Sequence, residues 1–237
     1  MRPLRGELLL EAWERGSGET GLERALTMLA VACPDRKREE LAALSIADRD
    51  LELLRLRRLT FGDALWGGLA CPSCATRLEF EISVESMLNR LEALRPPGES
   101  KWSVGRLTLS MRPVSSSDLA AVVSAEDPRR RLLALCTSID GTDAESALAV
   151  CEDSAVEHFN RLNQGAETRF TLPCPACGAT EQVDLDIGCV LWAEVRHAAL
   201  SILREVHELA SAYGWTERAI LEMTASRRAC YLEMART

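Results

Sequence analysis

The sequence predicts an α+β fold that is mostly helical, with a small antiparallel sheet split by a helical insertion. Three observations lead to this prediction. Two Cys-Pro-x-Cys segments stand far apart, at residues 71–74 and 174–177. An alternating run of apolar and polar residues follows each of them, which is typical of a half-buried strand. Much of the remaining chain has apolar residues at helical spacing, most clearly over residues 189–213.

The two Cys-Pro-x-Cys segments are called hook 1 (residues 71–74) and hook 2 (residues 174–177). Each hook presents two thiolates from one tight turn, and two such turns supply the four ligands of a tetrahedral zinc site. The predicted ligands are Cys71, Cys74, Cys174 and Cys177. Gly178 follows hook 2, where the chain must bend back and a residue without Cβ is favoured. Ala75 takes that place after hook 1, which makes the first copy less ideal.

The alternating runs after the hooks are predicted to be strands. Their apolar positions are Leu78, Phe80 and Ile82 after hook 1, and Val183, Leu185 and Ile187 after hook 2. A knuckle followed by a strand, occurring twice, indicates a zinc ribbon with one structural Zn²⁺ per chain. Acidic residues lie between the apolar ones, and they argue against a nucleic-acid-binding face on these strands.

The separation of the hooks is unusual, because residues 75–173 lie between them. Four-cysteine ribbons commonly separate their hooks by roughly 15–20 residues. Loop closure grows only logarithmically with length, so the longer insertion adds about 1.5 kcal/mol. A structural zinc site returns roughly 10–16 kcal/mol of apparent binding free energy. A split ribbon is therefore physically reasonable, although separate or degenerate sites and a redox Cys-x-x-Cys pair remain alternatives.

The composition limits the classes of function. A formal net charge of −8 disfavours a general nucleic-acid binder, which needs a basic face. Five cysteines lie outside the hooks, in apolar or helical surroundings that favour buried thiols: Cys33, Cys136, Cys151, Cys189 and Cys230. The first residues do not form a signal peptide, and no run of about 18 apolar residues predicts a membrane span. We therefore expect a protein of the bacterial cytoplasm, without membrane contact.

Helix signals dominate the N-terminal part of the chain. Residues 6–15 have a helical apolar side, and Thr20 with Glu23 forms a capping-box pattern that starts a second helix. A short helix through Leu44 follows, and Ser45 caps the next one. The first 70 residues are therefore predicted to be helical.

The middle of the chain mixes strands and helices. Residues 83–94 have a helical pattern, and residues 106–112 alternate as a strand does. Ser117 is a candidate helix cap, and Asp127 followed by Pro128 starts another helix. Phe170 and Leu172 alternate before hook 2, so a sheet of three or four strands is expected.

The C-terminal part contains the longest helix, over residues 189–213, which ends at Gly214. Thr216 caps a following helix, with Trp215 and Ile220 placed as a hydrophobic staple. The whole chain divides into an N-terminal helical region, the first ribbon half, a helical insertion, the second ribbon half and a C-terminal helical region. These segments are 1–70, 71–113, 114–165, 166–188 and 189–237.

No catalytic constellation is evident in the sequence. The Pro-Cys-x-x-Cys of residues 173–177 forms half of the zinc deaminase pattern, but that chemistry also needs a His-x-Glu. None of the three histidines (His158, His197 and His207) stands in such a motif. Four thiolates also leave no open coordination position for a reacting water. We therefore predict a protein that is not an enzyme.

The C-terminal block contains the motifs of a known family. They comprise a long helix, a Tyr-x-Trp-Thr-Glu turn, an isoleucine and an Arg-Arg-x-x-Tyr ending, at residues 192–210, 213–217, 220 and 227–231. With the split hooks and the Leu-Leu-x-x-Trp-Glu opening (residues 9–14), the chain resembles the T4-type baseplate hub assembly proteins. That family is found with contractile phage tails and phage-tail-like injection systems.

The resemblance implies a non-enzymatic assembly factor, or chaperone, that binds baseplate hub or spike proteins. It is compatible with a protein that stays in the finished tail particle and with one that leaves it after assembly. Partner binding is expected from the C-terminal helices, because aromatic residues are favoured interface anchors. The candidate anchors are Trp192, Tyr213, Trp215 and Tyr231. The alternative function is a zinc-ribbon nucleic-acid-binding or transcription-associated module. The partner, the oligomeric state and the choice between phage and bacterial system are not encoded in these motifs.

Overall fold

A computed structural model describes residues 1–95, 97–139, 144–164 and 168–236, without the side chains of residues 144–150. The chain divides into two compact units. The helical unit consists of residues 1–35 and 188–237, and the hook unit consists of residues 36–187. The predicted N-terminal segment 1–70 thus contributes to both units. The predicted junction between segments 114–165 and 166–188 lies outside the described residues.

The described elements confirm a mostly helical α+β fold with small antiparallel sheets. The helices are α1 (Glu7–Gly16), α2 (Gly21–Ala32), α3 (Arg38–Ala42), α4 (Ile46–Phe61), α5 (Val84–Ala93), α6 (Ser116–Val122), α7 (Pro128–Cys136), α8 (Ala144–Asn163), α9 (Ile187–Tyr213), α10 (Glu217–Leu221) and α11 (Ala225–Ala235). The strands are β1 (Ala64–Ala70), β2 (Arg77–Ser83), β3 (Ser100–Val104), β4 (Leu107–Met111), β5 (Thr137–Ile139), β6 (Arg169–Pro173) and β7 (Thr180–Asp184).

Local signals in the sequence explain the start of α2 in the helical unit. The predicted capping box is present: the Thr20 hydroxyl accepts from the Glu23 amide, while the Glu23 carboxylate accepts from the Thr20 amide. Two otherwise unpaired amides are thereby satisfied. The apolar sides of α1 and α2 are buried, including Leu9, Leu10 and Met28.

Helix α9 is the longest element and starts two residues before its predicted beginning. Its stripe is buried at Leu191, Val195 and Leu209, so much of the stripe is core. Gly214 follows with a φ of 67°, as expected for a residue after a helix C-terminus. Thr216 and Thr224 then cap α10 and α11, because their hydroxyl oxygens accept hydrogen bonds from the Ala219 and Arg227 amides.

The described strands form three separate small sheets, so the prediction of a single sheet with three or four strands is wrong for this part of the chain. Strands β1 and β2 pair with each other, as do β6 and β7, while β3, β4 and β5 form a three-stranded sheet. All pairs are antiparallel. The prediction that the first 70 residues are helical is also wrong, because β1 occupies residues 64–70.

The three-stranded sheet shares a core with α7 and α8, built around Met111, Leu133 and Leu162. Helix α7 begins as predicted, with Asp127 as its cap and Pro128 at its first position. Helix α6 is capped by Ser115 and not by the predicted Ser117. The reason is that Asp118 lies three residues after Ser115 and completes a capping box with it.

Within the described residues, no helix combines the length and the apolar character that crossing a bilayer requires.

Candidate metal centre

Each hook is the turn of its own β-hairpin. Hairpin 1 consists of β1, hook 1 and β2, and its register pairs Ala70 with Arg77 next to the hook. Hairpin 2 consists of β6, hook 2 and β7, and it pairs Pro173 with Thr180. Strands β2 and β6 lie where they are predicted, and β1 is an additional strand that completes the first hairpin. Strand β7 includes Val183 but ends at Asp184, so the prediction is wrong for Leu185 and Ile187, and Ile187 begins α9 instead. The unit is therefore strand, hook and strand, occurring twice.

The two hooks have the same backbone hydrogen bonds. The amide of the first cysteine donates to the carbonyl five residues later, and the amide four residues later donates back to that cysteine's carbonyl. The bonds are Cys71 to Thr76 (2.9 Å), Ala75 to Cys71 (2.8 Å), Cys174 to Ala179 (2.7 Å) and Gly178 to Cys174 (2.9 Å). This loop turns both thiols of a hook toward the same side, as a metal knuckle requires.

The residue after each hook has a left-handed backbone. Gly178 has a φ of 73°, and Ala75 has a φ of 58°. Among the described residues other than glycine, Ala75 alone has a positive φ. The Cβ of Ala75 makes this backbone conformation strained, whereas a glycine adopts it at little energetic cost. The prediction that hook 1 is the less ideal copy is therefore confirmed by its backbone.

The two hairpins bring all four predicted ligands together. Their sulfur atoms lie within 4.8 Å of one another. The Sγ atoms of Cys71 and Cys177 are 3.8 Å apart, and those of Cys74 and Cys174 are 3.7 Å apart. A tetrahedral metal with metal–sulfur bonds of about 2.3 Å requires sulfur separations of about 3.8 Å. The four thiols thus have the chemistry and the spacing of a metal site.

The sulfur separations also bear on the redox alternative. A disulfide requires sulfur atoms about 2.05 Å apart, far closer than the pairs between the hooks. All nine cysteines are among the described residues, and all carry unbridged thiols. The hooks therefore present four separate thiols to one point.

Burial of the cluster is asymmetric within each hook. Cys71 and Cys174, the first cysteine of each hook, are buried against Leu78, while Cys74 and Cys177 are exposed. The apolar cluster around the sulfur atoms is small, with Leu69 and Ala179 at its edge. Apolar burial around the sulfur atoms therefore contributes little to joining the two hooks, and a bound metal would contribute most there.

The electrostatics of the cluster favour a cation. Hydrogen bonds with the Thr76 side chain and backbone lower the pKa of Cys74 to about 6. At Cys177 the Ala179 amide lowers the pKa, but the neighbouring thiols outweigh it and raise the pKa to about 12. One thiolate thus opposes the ionisation of another. Four thiolates can coexist at neutral pH only when a positive ion neutralises them.

The base of hairpin 1 is fixed by polar groups from its surroundings. The buried Arg57 of α4 donates to the carbonyls of Gly62 and Ala64, both at 2.8 Å. Asp63 accepts from the Ser83 hydroxyl and from the Glu85 amide, each at 2.8 Å. These bonds hold the start of β1 beside the end of β2. This support has no motif in the sequence, because Arg57 acts on backbone carbonyls.

Aromatic rings connect the two hairpins away from the sulfur atoms. Phe80 of β2 and Phe170 of β6 meet edge to face, with ring centroids 5.3 Å apart. Gly67 lies opposite Phe80 in the β1–β2 register, and a Cβ added there would lie 2.4 Å from the phenyl ring. Gly67 therefore allows the ring to lie directly on β1. This close approach explains a glycine in the middle of a strand.

Three of the four predicted partner-binding residues form one cluster, and the fourth lies elsewhere in the helical unit. The rings of Tyr213 and Trp215 stack at 4.5 Å, and Tyr231 meets both edge to face, at 5.8 and 4.9 Å. We call Tyr213, Trp215 and Tyr231 the aromatic triad. Trp192 instead packs against Gly16, and the Arg24 guanidinium lies 4.8 Å from its ring centroid.

Among the described residues, the group that could hold a metal consists of the four hook cysteines and includes neither another cysteine nor a histidine. Of the five other cysteines, Cys33, Cys136 and Cys151 are buried as expected. Cys189 and Cys230 are exposed, so the expectation that all five are buried is wrong for these two. Cys189 lies in α9 and Cys230 lies in α11.

Comparisons of the chain with protein-family models, with curated proteins and with solved structures found no match. A function is therefore inferred from the geometry of the four thiols, from the aromatic triad and from the sequence motifs of the C-terminal helices.

Proposed function

We propose that this protein is a non-enzymatic assembly factor for the baseplate hub of a contractile phage tail or injection system, held together by one structural zinc ion. The observation that carries the metal assignment is the convergence of four sulfur atoms within 4.8 Å. The assignment to baseplate assembly rests on the sequence motifs of the C-terminal helices. The aromatic triad supplies a surface for it.

Zinc is the ion that this ligand set favours. Thiolates are soft ligands, and a tetrahedral set of four sulfur atoms is typical of zinc or of iron–sulfur chemistry. Two hooks that converge on one point suit a single ion, and zinc accepts tetrahedral geometry without a preference of its own. When bound, the ion neutralises the thiolates and crosslinks the two hairpins.

A structural role follows from the filled coordination shell. Catalytic zinc keeps one position for water or substrate, whereas four cysteines occupy all four positions. The site therefore contributes to folding, because a ligand set made from residues 71–74 and 174–177 exists only in the folded chain.

The aromatic triad is suited to a protein partner. Trp215 and Tyr231 pack against a buried group formed by Leu209, Ile220 and Leu232, so their positions are fixed by core contacts. Tyr213 stacks on Trp215 and is 37% exposed. A rigid, partly exposed aromatic group offers contact area at a low entropic cost. A hub or spike protein is the partner expected for a baseplate assembly factor.

The test uses the most exposed member of the triad. Tyr213→Ala should leave the melting temperature close to that of the wild type and abolish co-purification with a hub or spike protein. Tyr213→Phe retains the ring and serves as the matched control. Deletion of the gene should leave tail tubes without properly assembled baseplates. Functional particles from the deletion strain would refute the assembly role.

A further inference from the structure

The outer face of hairpin 1 carries an exposed tryptophan. Trp66 lies within β1 and is 69% exposed, whereas the other four tryptophans of the chain are partly buried. The alternation of β1 explains the orientation: Leu65 is buried, and Trp66 points to the opposite side. The indole therefore lies on the solvent-exposed face of the sheet and does not contribute to the core of the hairpin.

The antiparallel register places acidic residues beside this indole. Glu81 of β2 pairs directly with Trp66, and Glu79 pairs with Gly68 on the same face. Directly opposed residues have Cβ atoms about 4.5–5.5 Å apart. Gly68 and Ala70, the next outward positions of β1, have small side chains or none, so they leave the indole uncovered along the strand.

One of the two carboxylates is available to a partner. Glu79 forms an ion pair with Arg77 at 3.1 Å. Within the described part of the chain, Glu81 has no ion-pair partner. The surface thus combines an aromatic face with an adjacent, uncompensated negative charge. A guanidinium or ammonium group can bind to both features. It can lie over the indole face and donate hydrogen bonds to the carboxylate in an ion pair.

Hairpin 2 shows that the metal knuckle does not require this surface. Its outward positions include Thr171 on β6, paired with Gln182 on β7, and neither is aromatic or charged. The outward acid Asp184 is neutralised by Arg169, with a nitrogen–oxygen distance of 2.6 Å. Among the outward positions of the two hairpins, the exposed indole and the uncompensated carboxylate therefore occur in hairpin 1 alone.

We propose that the outer face of hairpin 1 binds an extended segment of a partner protein that contains arginine or lysine. An extended segment is favoured because Trp66 and Glu81 lie on the same sheet face, where side chains of a strand recur at matching intervals. The net charge of −8 attracts a basic segment, and Trp66 with Glu81 determines where it binds. This surface is separate from the aromatic triad, and its occupation does not depend on the proposed baseplate role.

The experiment titrates the 237-residue chain with a nine-residue peptide that alternates arginine and threonine and measures binding by calorimetry in about 0.15 M salt. A peptide with glutamine in place of arginine is the matched probe. The variants are Trp66→Thr, which retains a strand-forming residue, and Glu81→Gln. Gln182→Ala, on the outer face of hairpin 2, is the control variant. Melting temperatures establish that all variants are folded.

We expect the arginine peptide to bind and the glutamine peptide not to bind. Trp66→Thr and Glu81→Gln should each weaken binding about two- to fivefold, as expected for an exposed cation–π contact and an exposed ion pair, and Gln182→Ala should not change it. Equal binding of the glutamine peptide would overturn the proposal in favour of an apolar docking face. Unchanged affinity in both hairpin 1 variants would also overturn it, because the attraction would then come from the net charge alone. Binding of single-stranded RNA that is lost in Trp66→Thr would indicate a base-stacking surface instead.

Discussion

Hairpin 1 and hairpin 2 present the same metal knuckle in two different environments. Their hydrogen bonds match residue for residue, and each gives two sulfur atoms to the cluster. Hairpin 2 has a glycine after its hook and an outer face of neutral or paired residues. Hairpin 1 has a strained alanine, an exposed tryptophan and a glycine under a phenyl ring. The shared features therefore belong to the metal site. The exposed tryptophan is the basis of the partner surface that we propose for hairpin 1.

The largest effect is expected from removing one ligand, because the metal joins both hairpins. Cys174→Ser should lower stability by at least about 3 kcal/mol, or about 10 °C in melting temperature, and release the metal. Calorimetry and metal analysis of the purified variant measure both effects. Cys230→Ser changes an exposed thiol outside the hooks and should leave both unchanged. Equal stability of Cys174→Ser and Cys230→Ser would mean that the hairpins do not depend on a shared ion.

A smaller effect is expected where Phe80 lies on β1. Gly67→Ala introduces a Cβ 2.4 Å from the phenyl ring, so the ring must move and its contact with Phe170 must change. We expect a loss of about 1–3 kcal/mol in the free energy of unfolding, measured by denaturant titration. Gly18→Ala is the control, since an added Cβ there meets no atom within 4 Å. If both variants are equally stable, Phe80 does not pack on the strand as described.

The backbone strain after the hooks gives a reciprocal pair of substitutions. Ala75→Gly should stabilise the protein by about 1 kcal/mol, and Gly178→Ala should destabilise it by a similar amount, because both positions have a left-handed φ. The midpoints of chemical unfolding measure the two changes. A change in the same direction for both substitutions would contradict the equivalence of the two hooks.

The smallest effect on stability is expected at the outer face of hairpin 1. Trp66→Thr should change the free energy of unfolding by no more than about 0.5 kcal/mol, because the indole is mostly in solvent. Chemical unfolding measures this change. A loss of several kcal/mol would show that the indole has a packing role, and hairpin 1 would then differ from hairpin 2 in its core instead of its surface.

The sequence predicted the ligands and the helix caps because these features are local. A hook is four residues long, and a capping box such as Thr20 with Glu23 is complete within one turn. Even the error at Ser117 had a local signal, because Asp118 stands at the correct distance from Ser115. Predictions of this kind do not require knowledge of distant parts of the chain.

Strand β1 was missed because its stability comes from tertiary contacts. Its sequence contains Gly67 and Gly68 and shows weak strand propensity. Pairing with β2, the ring of Phe80 and the buried Arg57 hold it in place, and all of these lie outside residues 64–70. The division into three sheets depends on the same kind of information. The exposure of Trp66 could not be predicted before β1 was known to be a strand.

The central claim is that one ion joins the two hairpins, and X-ray absorption at the zinc edge tests it most directly. The protein is purified without added metal, and the zinc content is measured on the same sample. The account predicts one zinc per chain, surrounded by four sulfur atoms at about 2.3 Å. A protein without metal, with the hook cysteines as thiols or disulfides, would contradict it. So would a zinc ion with nitrogen or oxygen ligands in its shell.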